Sequence, residues 1–465
     1  MSPVQKKTTA RRSKRRKPAV TLPLSEILAP LSRALDLTEG HALGHSLRAC
    51  IIGMRLGQAA ELDDQQLAQL YYTLLMKDAG GSANSSRTAT LFGTDDHRVK
   101  TRMKFVDWQD RKERTVEVWR NTGRGRSLTA RVGHFVGMAR ESNMRRDLVA
   151  LRSARGSEVA TRLGLGEPVA GAIHSIDEHW NGSGYPAGLR GDAIPLLSRI
   201  AAIAQAIELL SANGNTGAAD DALRARRGEW FDPSLSDLAR AVLDEHATWT
   251  GMTPDALDAR VIALEPADHV RRVDEDALDE AAAVFADIID GKSPYTVSHS
   301  LKVAEYARAI GAQLGLDART QRKIYRAGLL HDLGMLGVSN RITEKAGTLT
   351  RAERAEIEHH PVHTLEILQR VPALAEVAML AATHHEKLDG SGYPWGRTSE
   401  DLDLPARVLV VADVFVSATE DRAHRAGVTT EQALEILNAQ RALWLDADAV
   451  DALAVCLEEP ETRDL

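Results

Sequence analysis

Seven side chains in the second half of this 465-residue chain are of the kinds that bind metal: His299, the adjacent His331-Asp332, His360, the adjacent His384-His385, and Asp413. Imidazole nitrogen and carboxylate oxygen together suit a borderline divalent cation, and one carboxylate can bridge two such ions through its two oxygens. The inventory is sufficient for two ions, with Asp332 as the candidate bridge. Two ions about 3.5–4 Å apart lower the pKa of an attacking water and neutralise the phosphate under attack. Such a pair would suit hydrolysis without a covalent intermediate, of a phosphoester for example, with His331 and Asp332 as candidate catalytic residues.

From His299 through His331, His360 and His384 to Asp413 the steps are 32, 29, 24 and 29 residues, so each ligand falls on a different element. A helical bundle can bring such residues to one interior point. Val303, Tyr306, Ala307, Ile310 and Leu314 recur at helical spacing, with Gly315 near the stop. Thr350 and Glu353 form a capping-box pattern opening a helix over 351–368, and Thr429-Thr430 opens another over 431–437. The apolar run 408–416 reads as a buried helix, and 275–289 as an amphipathic connecting helix. Aromatic residues make up only 4% of the chain, which favours helices packed through Ala and Leu over an aromatic-rich sheet.

Directly after the His pair comes Glu386-Lys387-Leu388-Asp389-Gly390-Ser391-Gly392-Tyr393-Pro394. With the ligand set, this stretch resembles the HD-GYP family of metal-dependent phosphohydrolases, over residues of about 294 to 457. The resemblance implies an all-α fold and two transition-metal ions, iron or manganese. One ion would take His299, His331, Asp332 and Asp413, the other Asp332, His360, His384 and His385. It also implies a cyclic dinucleotide substrate, cyclic di-GMP, opened to linear pGpG and on to GMP. The Gly-Tyr-Pro loop borders the metal site in the family, and Tyr393 and Trp395 offer ring faces for a base or for loop packing. Asp421-Arg422-Ala423-His424-Arg425 resembles the family's Asp-Arg-Pro-Tyr-Arg stretch, which makes Arg422 and Arg425 candidate phosphate ligands. Three departures touch the substrate side: Met335 where the family has lysine, Val416-Ser417-Ala418-Thr419 for Asp-Ala-Leu-Thr, and His424 for tyrosine. Two further readings stand beside the leading one: a phosphohydrolase of another nucleotide or cyclic dinucleotide, and a metal-stabilised, low-turnover nucleotide receptor or protein-interaction module. His359, His363 and His424 are expected in surface or polar-contact roles.

The chain also repeats itself. His45-Ser46-Leu47 matches His299-Ser300-Leu301, and Lys77-Asp78 matches His331-Asp332; 299 − 45 and 331 − 77 both give 254. Gly182 to Pro186 repeats Gly390 to Pro394 at a shorter offset, 390 − 182 = 208, so the first copy carries an insertion over about 85–155. Residues 226–232 loosely echo 440–446. The first copy has Lys77 for His331, Ile176-Asp177 for His384-His385 and Gln205 for Asp413. His45 and Asp78 are its remaining plausible ligands, with His134 an unsafe stand-in for His360. So few ligands cannot hold a metal against water, and Lys77 would put an ammonium inside the former site.

The expectation is thus an all-α chain of two tandem HD-type bundles: a basic disordered tail over 1–23, a degenerate, regulatory copy over 24–250, a linker over 251–275 and a catalytic copy over 276–465. The tail carries eight Lys and Arg residues between Lys6 and Lys17 and suggests only weak contact with nucleic acid or anionic lipid. The net charge of −7 argues against a nucleic-acid binder overall. Cys50 and Cys456 read as reduced core thiols, and no apolar stretch has the length of a membrane span. The expected location is the cytoplasm, and the first copy is a candidate surface for a protein partner or self-association.

Overall fold

The computed structural model describes residues 21–124, 127–140, 143–211 and 216–459. Apart from Leu22–Pro23 paired antiparallel with Arg272–Val273, its elements are helical, and the chain builds the expected all-α pair of HD-type bundles.

The repeat is visible element by element. Helices His45–Ala59 and Asp64–Met76 correspond to His299–Gln313 and Ala318–Leu330, while Glu167–His174 and Leu196–Ser211 correspond to Ala375–Ala382 and Leu404–Thr419. Small interactions repeat with them. Asp36 accepts from Ser46 N at 2.9 Å and Ser46 Oγ at 2.7 Å, and Asp290 accepts from Ser300 N at 3.0 Å and Ser300 Oγ at 2.7 Å. In each copy this ties down the first turn of the helix that begins with His45 or His299. Asp232 and Asp446 are N-caps of the helices Pro233–Leu243 and Ala447–Cys456, so the echo between 226–232 and 440–446 is structural as well.

Several expected boundaries move. The supposed linker contains the helix Pro254–Ile262, capped by Thr253 and started by Pro254. Its Leu257 and Val261 are buried, the helix packs on Ser25–Thr38 and His45–Ala59, and Asp258 pairs with buried Arg33 at 2.6 Å. The segment expected as a connector is the helix Glu275–Asp290, the counterpart of Ser25–Thr38 and so the first helix of the second bundle. Leu22 and Pro23, expected within the tail, form a strand; residues 1–20 of that tail lie outside the described residues. The helix expected over 351–368 is two, Arg351–Glu358 and His360–Leu368, with Pro361 in the first turn of the second, where its missing N–H costs nothing. The capping box at Thr350 is present, and the run 408–416 lies inside the helix Leu404–Thr419.

The extra sequence of the first copy folds as helices Ser85–Phe92, Asp96–Met103, Arg111–Asn121 and Leu128–Arg140, around a small core that includes Phe92, Val99, Met103 and Met144. Elsewhere one apolar cluster runs through both bundles, from Leu24 to Leu453. Helix Ser25–Thr38 packs on the turn Leu333–Gly337 and on helix His360–Leu368. The inserted helices also reach across: buried Asp96 accepts from Ser339 Oγ at 2.7 Å and Asn340 N at 2.9 Å. Both cysteines are buried thiols outside any disulfide among the described residues. Among the described residues no helix is long and apolar enough to cross a membrane.

Candidate metal centre

The seven expected ligands meet at one point of the second bundle. His299 is the first residue of its helix, His331 follows the end of Ala318–Leu330, His360 opens His360–Leu368, His384-His385 follow Ala375–Ala382, and Asp413 projects from the middle of Leu404–Thr419. Helix ends supply most of the set because they let side chains of separate helices converge. The approach is tight enough to require glycine: a Cβ on Gly334 would sit 2.0 Å from the His360 carbonyl oxygen.

Asp332 divides the centre in two. Its Oδ1 lies 3.2 Å from His360 Nε2 and 3.6 Å from His384 Nε2, while its Oδ2 lies 3.5 Å from His331 Nε2 and 3.9 Å from His299 Nε2. Asp413 Oδ1 is 3.4 Å from His299 Nε2, and its Oδ2 is 4.0 Å from His385 Nδ1. The donor atoms of Asp332, His360, His384 and His385 form one group, and those of His299, His331 and Asp413 another, each within 4.8 Å.

The imidazoles are oriented as metal ligands are. Nδ1 of His331, His360 and His384 lies 2.7, 2.6 and 2.7 Å from the carbonyls of Gly328, Ile357 and Ala381. That fixes the tautomer with Nδ1–H donating and leaves each Nε2 lone pair facing inward. His331 Nε2 is buried with no hydrogen-bond partner among the described residues; a cation is the partner this donor set fits. His299 is backed by a carboxylate, with Glu420 Oε2 2.8 Å from its Nδ1.

Electrostatics point the same way. Burial pulls the His299 imidazole down, but the carboxylates of Asp413, Glu420 and Asp332 outweigh it and hold the group up at about 10. Burial would raise Asp332, yet His331 and the hydrogen bonds of His360 and His384 keep it well below the usual carboxylate range. His331, by contrast, is pushed down to about 4, chiefly by burial. The centre stabilises positive charge at some positions and keeps others neutral for coordination.

Of the expected substrate residues, Tyr393 stacks on His385 with ring centroids 4.6 Å apart. Its loop is held by buried Glu386, which accepts from the backbone N–H of Trp395 and Arg397 at 2.9 and 2.8 Å. Arg422 donates to Ser417 Oγ at 3.2 Å and Glu420 at 3.4 Å, and Ser417 in turn donates to Asp413 Oδ1 at 3.2 Å. Arg425 is engaged differently: its guanidinium donates to the carbonyls of Ser417 and Ala418, at the end of helix Leu404–Thr419. The rings of His359 and His363 meet edge to face, His363 lies beside Glu366, and His424 is exposed. Glu386, Ser417 and Glu420 are supporting residues to which motif reading gave no role, the first two lying inside quoted stretches. Glu420 had a signal, since it sits between the two motif stretches 416–419 and 421–425.

The first copy has a different centre. Lys77 pairs with Asp78, and Arg152 donates to Asp78 Oδ1 and Asp177 Oδ2, both at 2.9 Å. Position 152 stands 208 residues before His360, and its carbonyl oxygen would meet a Cβ on Gly80 at 1.9 Å, as that of His360 does on Gly334. Arg152 is thus the counterpart of His360, inside the stretch expected as insertion. His134 lies instead over Gly93 within the inserted helices. Burial would raise Asp78, but Lys77, Lys104 and Arg152 hold it well below the usual range. His45 is backed by Glu208 as His299 is by Glu420.

Comparison with known proteins agrees with this geometry. The model of a family described as HD domain matches residues 140–235 and 283–449. The chain is 37% identical over 438 residues to 3′3′-cGAMP-specific phosphodiesterase 3 of Vibrio cholerae, covering 94% of this chain and 95% of that protein. It is 34% identical over 176 residues to a cyclic di-GMP phosphodiesterase response regulator of Xanthomonas campestris, covering 37% of this chain and 47% of that protein. A crystal structure of a cyclic GMP-AMP-specific phosphodiesterase of Vibrio cholerae superposes with a TM-score of 0.65 at 32% identity, over 95% of this chain and 99% of that one. With both copies aligned and a cation-binding donor set in the second, the chain belongs to the HD-domain family, as a metal-dependent phosphodiesterase.

Proposed function

We propose that the second bundle holds two divalent transition-metal ions, iron or manganese, with Asp332 bridging them, and hydrolyses a cyclic dinucleotide to its linear form. The observation that carries this reading is the division of the donor set by the two oxygens of Asp332, at 3.2–3.9 Å from four imidazole nitrogens. Bound there, such cations polarise the phosphoryl group and make water nucleophilic near neutrality. The chain's own residues do the rest. Glu420 and the carbonyls of Gly328, Ile357 and Ala381 fix the imidazole orientations. Arg422 stands beside Asp413 through Ser417 with donors for a phosphate oxygen. Tyr393, braced on His385, offers a ring face to a base.

Among cyclic dinucleotides, 3′3′-cGAMP is the first substrate to test, because the relative with that specificity aligns over nearly the whole of this chain. Cyclic di-GMP is the second, supported by the family motif and by a relative that aligns over 37% of the chain. Full-length protein assayed with iron or manganese against a panel of cyclic dinucleotides should give its highest kcat/KM on 3′3′-cGAMP, lose activity on chelation and regain it on metal addition. No hydrolysis of any cyclic dinucleotide with metal bound would sink the reading.

A further inference from the structure

The inserted helices of the first copy enclose a cleft that the metal centre does not use. Its outer part is a cavity of about 560 Å³ lined by Trp108, Met144, Arg145, Arg146 and Tyr185 among others. An inner recess of about 100 Å³ continues from it past Trp108, Met144 and Arg145 towards Phe92, Thr88 and Arg152. Volumes of this size suit a small ligand.

Three observations define what would fit. The walls are aromatic and cationic together: the Arg145 guanidinium lies 4.8 Å from the Trp108 ring centroid and 5.6 Å from that of Tyr185. Its donors are weakly used, with a contact to the Val106 carbonyl at 3.4 Å and no ion pair among the described residues. Arg114, Arg146, Lys100 and Lys104 add positive charge along the same walls, against Glu39 and Asp177. Finally, the lining carries buried polar atoms with no hydrogen-bond partner among the described residues: Trp108 Nε1, Arg152 Nε, Thr88 Oγ1 and Asn84 Oδ1. Such atoms are costly unless something occupies the space beside them. A ligand answering all three has a flat ring with donors and acceptors on its edge and an attached anion that takes arginine.

We infer that this cleft is a second nucleotide site, in the first copy, taking a nucleotide with its phosphate on Arg145 and its base against Trp108. Aromatic faces stack any base, and planar guanidinium donors match phosphate oxygens. A mononucleotide and one half of a cyclic dinucleotide share that chemistry.

Wild-type full-length protein photolabelled with 8-azido-AMP and 8-azido-GMP, then peptide-mapped, should carry label on peptides containing Trp108 or Tyr185, displaced by excess AMP or GMP. Label confined to the second bundle, or not displaced, overturns the site. Displacement by 3′3′-cGAMP as well identifies the dinucleotide as an occupant and supports the site. Equal displacement by inorganic phosphate means a bare anion site and overturns the nucleotide assignment. Arg145→Gln and, independently, Trp108→Leu should each weaken first-copy labelling about tenfold with turnover and melting temperature retained. Undiminished labelling in both folded variants overturns it too.

Discussion

Asp332 and Asp78 occupy equivalent positions in the two bundles, yet what surrounds them differs. Around Asp332 stand imidazoles with inward lone pairs, able to take exchangeable cations. Around Asp78 stand Lys77 and Arg152, in the places of His331 and His360, with Lys104 3.7 Å away. A carboxylate inside a bundle needs positive charge nearby whatever its role. The first copy supplies it from its own side chains, permanently. The second leaves it to be supplied by ions that can also act on a phosphate. The difference teaches that a bundle without the imidazole set need not hold a void at that point: ammonium and guanidinium carry the electrostatic duty there.

The sharpest way to break that comparison is to remove each carboxylate in turn. Asp332→Ala should lower kcat by about 10⁴-fold or more, equivalent to about 5 kcal/mol, with bound metal lost by elemental analysis. An equal kcat loss in Asp78→Ala would mean that the copies build one shared site. That variant should instead keep its turnover and lose about 3 kcal/mol of stability, because Lys77 would be left buried without its carboxylate partner and Arg152 would keep only Asp177 at 2.9 Å. A denaturant midpoint matching the parent would contradict the fixed-cation account. His384→Ala should then divide the second centre, reducing metal content from two ions per chain to one; retention of both would show that the two donor groups are not separate sites. The smallest effect is expected at Met335, whose carbonyl accepts from Lys292 Nζ at 2.8 Å, so the turn is held from behind while its side chain is exchanged. Met335→Lys should raise turnover about tenfold, or about 1.4 kcal/mol, if it restores a phosphate contact, with metal content constant. Lower activity on every cyclic dinucleotide with metal content intact would favour a phosphohydrolase of another nucleotide or a low-turnover receptor.

The donor set was legible because histidine and aspartate are chemically specific and the repeat gave a second copy to read against. Arg152 was not, since the insertion shifts the offset and an arginine does not resemble the histidine it replaces. Glu208 and Glu420 back equivalent histidines from different places: one lies within Leu196–Ser211, the other one residue beyond the end of Leu404–Thr419, so no constant offset relates them. The helix Pro254–Ile262 did announce itself through Thr253-Pro254, but its charged residues read as linker until Leu257 and Val261 found a core. Contacts such as Asp96 with Ser339 and Asn340 join residues more than 240 positions apart, and no local pattern encodes them.

The apolar cluster running through both bundles joins their interiors, so the two are expected to unfold together and a ligand that stabilises one should stabilise the other. Metal taken up by the histidine-lined copy would then stabilise the first copy as well, through their common interior. Chelation should therefore lower the unfolding temperature reported by a probe in the first copy and one in the second by the same amount, in one coincident transition.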